Sequence, residues 1–275
     1  MSDRGIKNTI LFNIKAHNKI ASKYELIHGE IYNTIEQDRL KRALVKAISF
    51  IQTESTEKKA LDYGCGSGNL TFHLASLYLN VIASDISEQF LRIISSRSYP
   101  TKVHTLLLNG FDLSSISDNS LDIVATYSVL HHIPDYLNIL KEFMRVLKPG
   151  GVVYIDHESS DGFWSNDPLY KNFQDEINNS AKLDLSKFFV LTNYYEWLIR
   201  RFVNPRYHRE GDIHVYKDDH IEWEKVISEL KKSGGLLVYE EDYLLYKKHY
   251  DLDVYNRYKS TVTDMHYLVI KKEYY

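Results

Sequence analysis

An apolar strand end that breaks into three glycines spaced two apart, and then resumes as a helix, leaves a chain few folds to choose from. Here it is the run Leu61-Asp-Tyr-Gly-Cys-Gly-Ser-Gly-Asn-Leu70. Glycines at 64, 66 and 68 supply backbone freedom at positive φ and leave no Cβ between main chain and a ligand. Asp62 puts one carboxylate at the strand's end. The spacing is GxGxG, one residue tighter than the GxGxxG of dinucleotide sites. A carboxylate in the loop repels a pyrophosphate and attracts an ammonium group, so the loop suits a ligand with a cationic amino acid end.

Short apolar runs and helical patterns alternate on either side of this loop. Strands are predicted near 59–63, 80–84, 103–108, 121–126 and 150–155, with helices near 68–78, 87–96 and 136–147. That alternation gives a parallel sheet covered on both faces, with ligands at the carboxyl ends of its strands. Val81-Ile-Ala-Ser-Asp85 is a second strand ending in an acid, 21 residues after Gly64. A carboxylate there accepts both O–H bonds of a ribose. Asp85 could also cap the next helix, a role that Ser87 fills better.

Taken with Leu121-Asp-Ile-Val-Ala-Thr-Tyr-Ser-Val-Leu-His-His-Ile-Pro-Asp135 and Leu147-Lys-Pro-Gly-Gly151, in that order, the chain resembles the class I S-adenosylmethionine-dependent methyltransferases. The resemblance covers residues 20–156 by motif and 225–272 by pattern. It implies a Rossmann-like, doubly wound, mostly parallel seven-stranded sheet with an antiparallel terminal strand, the last two strands lying near 236–241 and 264–271. It also implies S-adenosylmethionine as cofactor. Asp62 and the loop Gly64, Cys65, Gly66 and Gly68 would take the methionine end, and Asp85 with Ile86 the ribose. Tyr127 would flank the cofactor, and Asp112 would meet the adenine amino group. The segment Gly110–Ile116 is one residue shorter than the family's commonest version, and Asp112 can equally cap the following turn. Tyr24 would approach the methionine end from the N-terminal helices, or else pack in the core.

Four parts follow: an N-terminal helical lid over 1–55, a cofactor-binding core over 56–156, a cap insertion over 157–220 and a C-terminal part of the core over 221–275. In the lid, Ile20, Tyr24 and Ile27 share one helical face, Gly29 breaks it, and Ile31, Ile35, Leu40, Leu44 and Ile48 continue the apolar stripe. The insertion is long and aromatic, with Trp164 and Trp197 inside it and Trp223 beside it. It reads as a cap over an acceptor pocket or as a homodimer surface.

Methyl transfer from a sulfonium asks for alignment and a dry pocket, and for a base only where the acceptor carries a proton. His131 follows the fourth strand where cofactor and acceptor meet in the family, and is the first candidate. His132 beside it reads as structural. His157, within Asp156-His157-Glu158, is the second candidate, its alternative being a solvated strand end. The run Arg206-Tyr-His-Arg-Glu-Gly-Asp-Ile-His214 reads as an acceptor-recognition loop for an anionic or hydroxylated substrate, or as a solvated loop. His208, His214 and His220 are six apart, which fits no zinc pattern, so no metal is expected.

A net charge of −3, with only a local patch at Arg200, Arg201, Arg206 and Arg209, argues against a nucleic acid partner. A single cysteine excludes an internal disulfide, and no stretch reaches the ~18 apolar residues of a membrane span. With no secretory h-region at its N-terminus, the chain is expected to be cytoplasmic. The expected function is methyl transfer to a small-molecule acceptor at O, N or C. The alternative is a non-catalytic partner protein that binds S-adenosylmethionine or its demethylated product.

Overall fold

In the computed structural model, residues 3–77, 79–164, 167–180, 198, 201–202, 214–216 and 220–274 are described. Seven strands form one sheet: β1 Lys59–Tyr63, β2 Asn80–Asp85, β3 Val103–Leu107, β4 Leu121–Tyr127, β5 Leu147–Ser159, β6 Gly235–Tyr243 and β7 Met265–Lys272. Their order is β3-β2-β1-β4-β5-β7-β6. The direction of strand addition reverses between β1 and β4, which opens a crevice at their carboxyl ends. β7 runs antiparallel to both β5 and β6, and so sits between two members of an otherwise parallel set.

Residue alternation along the strands divides the core between two faces. Leu61, Val124 and Val153 pack against Leu140 and Phe143 of α6 (Tyr136–Val146) and Val226 and Leu230 of α8 (Trp223–Lys232). Ala60, Ile123 and Val152 pack against Leu40 and Leu44 of α3 (Thr34–Ser49) and Leu70 and Leu74 of α4 (Asn69–Ser76). Every residue of β4 is buried, as a strand covered on both faces requires. Among the described residues, no helix is long and apolar enough to cross a membrane.

The N-terminal segment departs from its expected face. The chain leaves α1 (Asp3–Ile20) through a 3₁₀ turn at Ala21–Lys23 into the single-turn α2 (Tyr24–Ile27). This shift in phase turns Ile27 outward, 42% exposed, while Ile10, Asn13 and Ala16 face inward. Asn33 caps α3 by accepting from the Glu36 N–H at 3.0 Å. β5 runs past its expected end because Glu158 and Ser159 still pair with His266 and Met265, beyond a bulge at which His157 takes φ +60°. Of the insertion, α7 (Pro168–Ser180) buries Phe173 and Ile177 against Tyr250, Val254 and Tyr255. Tyr255 and Val254 belong to α9 (Leu252–Tyr258). Trp197, Arg200, Arg206, His208, Arg209, Asp218 and Asp219 lie outside the described residues.

Candidate active site

At the carboxyl ends of β1, β2 and β4 lies a cavity of about 770 Å³, open in part to solvent. Its floor is Tyr63, Gly64 and Gly66 after β1, its sides are Asp85 and Ile86 after β2 and Tyr127, Ser128 and Val129 at the end of β4. Ile10, Asn13 and His17 of α1, with Tyr24, close it from the N-terminal side. Glycine is required in the loop for two reasons. Gly64 has φ +72°, and a Cβ there would lie 2.6 Å from Val129 Cγ2. The Gly64 and Cys65 N–H groups donate to Ser84 O at 2.9 and 2.8 Å, tying the loop to β2. Cys65 turns its side chain away from the cavity into a small cluster with Ala83, Leu91 and Ile94, where burial pushes its thiol up. It can meet a ligand only through its backbone.

Asp62 lies beneath this loop, fully buried. Thr71 Oγ1 donates to its Oδ2 at 2.5 Å, and Oδ1 has no hydrogen-bond partner among the described residues. Burial, with Asp85's charge adding to it, pushes the carboxyl up to about 7. Asp85 is also buried and raised, although Gly66 N–H reaches its Oδ2 at 3.0 Å and Ser87 N–H its Oδ1 at 2.8 Å. Ser87 Oγ accepts from Phe90 N–H at 3.3 Å and caps α5 (Glu88–Ser95), so Asp85 is left to the cavity. Tyr24 packs on His28 and Phe90, with ring centroids 4.1 and 5.2 Å apart, forming an aromatic wall. Two neighbouring buried carboxylates, one with an unmatched oxygen, beneath a loop that offers backbone, fit a cofactor carrying an ammonium and a ribose.

Two expected cofactor residues stand elsewhere. Gly68, φ +97°, opens α4 and faces a separate hollow with Tyr32 and Arg97. Asp112 lies in a hollow adjoining the cavity, sharing Gly110, Ile133 and Pro134 with it. Its Oδ1 accepts from Ser114 N–H at 3.0 Å and from Asn109 Nδ2 at 2.8 Å, bonds that hold its carboxyl below the usual range. That is the turn-capping role.

Beyond β4 the acceptor-side candidates meet. His131 Nδ1 is 2.7 Å from Glu158 Oε2, while Glu158 Oε1 accepts from Val129 N–H at 2.9 Å and Leu130 N–H at 2.7 Å. The turn after β4 and the end of β5 are thus locked together by one buried carboxylate. His132 lines the cavity, and His131, His132 and His214 pack ring against ring. His157 is buried, stacked on Tyr127 at 4.5 Å, with neither ring nitrogen partnered among the described residues. Burial pushes it down to about 3. Asp156, by contrast, is committed to structure. It accepts from Arg39 Nη2 at 2.8 Å, from Tyr243 Oη at 3.0 Å and from Tyr154 Oη, while Arg39 also forks onto Glu36, which in turn accepts from Tyr127 Oη at 2.8 Å.

Sequence reasoning missed that network, and its only trace is Glu36 and Arg39 at i,i+3 on an otherwise apolar face. It also missed Thr71 beneath the loop and the α1 wall, where Asn13 and His17 interrupt an apolar helix.

A 3-2-1-4-5-7-6 sheet with a glycine loop flanked by two buried carboxylates defines an α/β protein of Rossmann-like build. Residues 61–155 match the family described as "Methyltransferase domain". A demethylmenaquinone methyltransferase of Staphylococcus epidermidis is 30% identical over 184 residues, 65% of this chain and 72% of that protein. A ubiquinone biosynthesis O-methyltransferase of Hydrogenovibrio crunogenus is 37% identical over 111 residues, 39% of this chain and 46% of that protein, so the match spans less than half of that relative's length. In three dimensions, a chain from the complex of the Haloferax volcanii Trm112 methyltransferase activator with a methyltransferase superposes with a TM-score of 0.58 at 14% identity. That superposition covers 94% of this chain and 98% of the other. The chain belongs to the class I S-adenosylmethionine-dependent methyltransferases.

Proposed function

We propose that this protein transfers a methyl group from S-adenosylmethionine to a small aromatic acceptor of quinone type by in-line displacement. The observation that carries the cofactor assignment is the buried Asp62 with its unmatched Oδ1, set beneath a left-handed glycine loop and beside Asp85. When bound, S-adenosylmethionine supplies a methyl group on a positively charged sulfur. Asp62 holds the ammonium end, the Gly64–Gly66 backbone leaves room for the amino acid portion, and Asp85 takes the ribose hydroxyls. Tyr24, Ile86 and Phe90 give the cavity apolar walls, and excluding water there strengthens every charge contact inside. Asp112 is left to its turn in this reading.

On the acceptor side, His131 is the group to receive a proton, because Glu158 orients its ring through Nδ1 beside His132, which lines the cavity. His157 is too weak a base once burial has pushed it to about 3, so its unmatched nitrogens position the acceptor rather than hold its proton. The N-terminal helices, through Ile10, Asn13, His17 and Tyr24, close the cavity over the acceptor. Support for a quinone-type acceptor comes from the names of the two relatives and from the aromatic walls of the cavity. The intact pair Asp62 and Asp85 speaks against a non-catalytic partner protein.

The test is calorimetric titration with S-adenosylmethionine and S-adenosylhomocysteine, with NADH and NADPH as controls, followed by turnover on hydroquinones and phenols read as S-adenosylhomocysteine release. Binding of the sulfur ligands alone, then turnover, supports the assignment. Dinucleotide binding, or no binding of either sulfur ligand, overturns it.

A further inference from the structure

Spacing along the chain groups His214 with His208 and His220, but folding carries it to a different pair. Val215 N–H donates to His131 O at 2.8 Å, pinning this segment against the turn that follows β4. There one ligand nitrogen from each of His131, His132 and His214 lies within 4.8 Å of the others. The ring centroids are 4.1 to 4.7 Å apart. The geometry points to a binding site for one divalent transition-metal ion, of the zinc type, on His131, His132 and His214.

Three features argue for an ion over a purely structural ring stack. With metal–nitrogen bonds of about 2.0–2.1 Å, tetrahedral imidazole nitrogens stand roughly 3.3 Å apart, so small side-chain rotations close the site. His131 already has the outer partner of a metal-bound histidine. Glu158 holds its Nδ1 at 2.7 Å and is itself fixed by two backbone N–H groups, which sets the tautomer with Nε2 free to bind and places an anion beside the incoming charge. The donor set, three imidazoles and no oxygen, selects zinc, cobalt or nickel over magnesium or calcium.

Three protein ligands would leave a fourth position open, and because His132 lines the cavity an ion held there would sit at its edge. This inference rests on the methyltransferase reading and deepens it. An acceptor hydroxyl on such an ion would give up its proton to solvent more readily, and its oxygen would form the O–C bond as the C–S bond breaks and sulfur keeps the electron pair. His131 in that case holds the ion, and the acceptor is one that presents a hydroxyl.

The experiment strips the protein with EDTA and titrates it with Co²⁺, read by d–d absorption, and then with Zn²⁺ by calorimetry. One equivalent of Co²⁺ with tetrahedral bands, displaced by Zn²⁺, is the expected result. His214→Gln should weaken binding at least ~100-fold, and Glu158→Gln roughly 10–100-fold. Unchanged S-adenosylhomocysteine affinity in His214→Gln reports that it has folded, and His132→Gln serves if it has not. Less than one equivalent bound by the wild-type chain, or equal binding by the folded His variant, overturns the site. The titration reads no methyl transfer, so its failure leaves the cofactor assignment to its own test.

Discussion

Asp62→Asn removes one charge from the cofactor site while keeping its shape, and its effects on stability and on binding should have opposite signs. The carboxyl is fully buried and raised to about 7, whereas an unfolded aspartate titrates near 3.9. Its folded pKa exceeds its unfolded one. The stability linked to the protonated form is therefore complete below about pH 4 and is lost as pH rises to about 7. Ionising so raised a carboxyl costs on the order of 4 kcal/mol at pH 8 in the ligand-free protein. Asparagine escapes that cost, but its amide N–H₂ occupies the position where Oδ1 has no partner and forfeits about 1–3 kcal/mol. The ligand-free variant should melt no lower than wild type at pH 8, and that advantage should vanish toward pH 5. Binding goes the other way. Losing a charge-assisted bond to the ammonium costs about 1.5–3 kcal/mol, or roughly 10–150-fold in Kd. Wild-type affinity for S-adenosylmethionine should also fall toward tenfold per pH unit below about 7, because Asp62 must lose a proton to receive the ammonium, whereas the variant should be flat. Calorimetry from about pH 5.5 to 7.5 stays below the range where an α-amino group itself titrates, about 7.7–8.0. An asparagine variant that binds as tightly as wild type, with the same pH slope, would refute the placement of the ammonium on Asp62.

Gly64→Ala forces a Cβ to 2.6 Å from Val129 Cγ2 at φ +72° and should destabilise by about 2–4 kcal/mol. Thermal melting checks this, and adding Val129→Ala should recover the steric part while the backbone strain remains. Arg39→Met leaves Glu36 and Asp156 buried without their cation and should cost about 3–5 kcal/mol, roughly 6–20 °C in Tm at neutral pH. The loss should shrink as pH falls, since burial already raises Glu36 and acid protonates it.

The sheet and the cofactor loop were legible because each rests on a local, periodic signal. The run to Tyr63, the glycines at 64, 66 and 68 and the acid at 85 all report on backbone that must turn sharply or approach a ligand, and such constraints act over a few residues. What could not be read was whatever depends on distant side chains meeting. Asp156 looked like a strand-end acid, and only folding turns it onto Arg39 from a helix formed more than a hundred positions earlier. His131 and Glu158 each stand out near a strand end, but their pairing is not legible in sequence and exists because β4 and β5 lie side by side in register. Asp112 illustrates the converse: both of its readings were local, and the turn-capping one is visible in the bonds from Asn109 and Ser114 to its Oδ1.

The place of β7 between β5 and β6 sets an order of assembly. The strands that carry the glycine loop and Asp85 pair only with β3 and β4 and with each other, so their ladder can form before β6 and β7 are made. The far edge of β5 must then wait, unpaired, until residues 265–272 have been synthesised. β6 has nothing to pair with until the same strand arrives, because it touches the sheet only through β7. Long-range pairing of this kind is slow, and an open apolar edge can recruit a second chain. The cofactor half of the protein should therefore be protected from hydrogen exchange first during refolding, and chaperone dependence should concentrate in the interval before β7 docks.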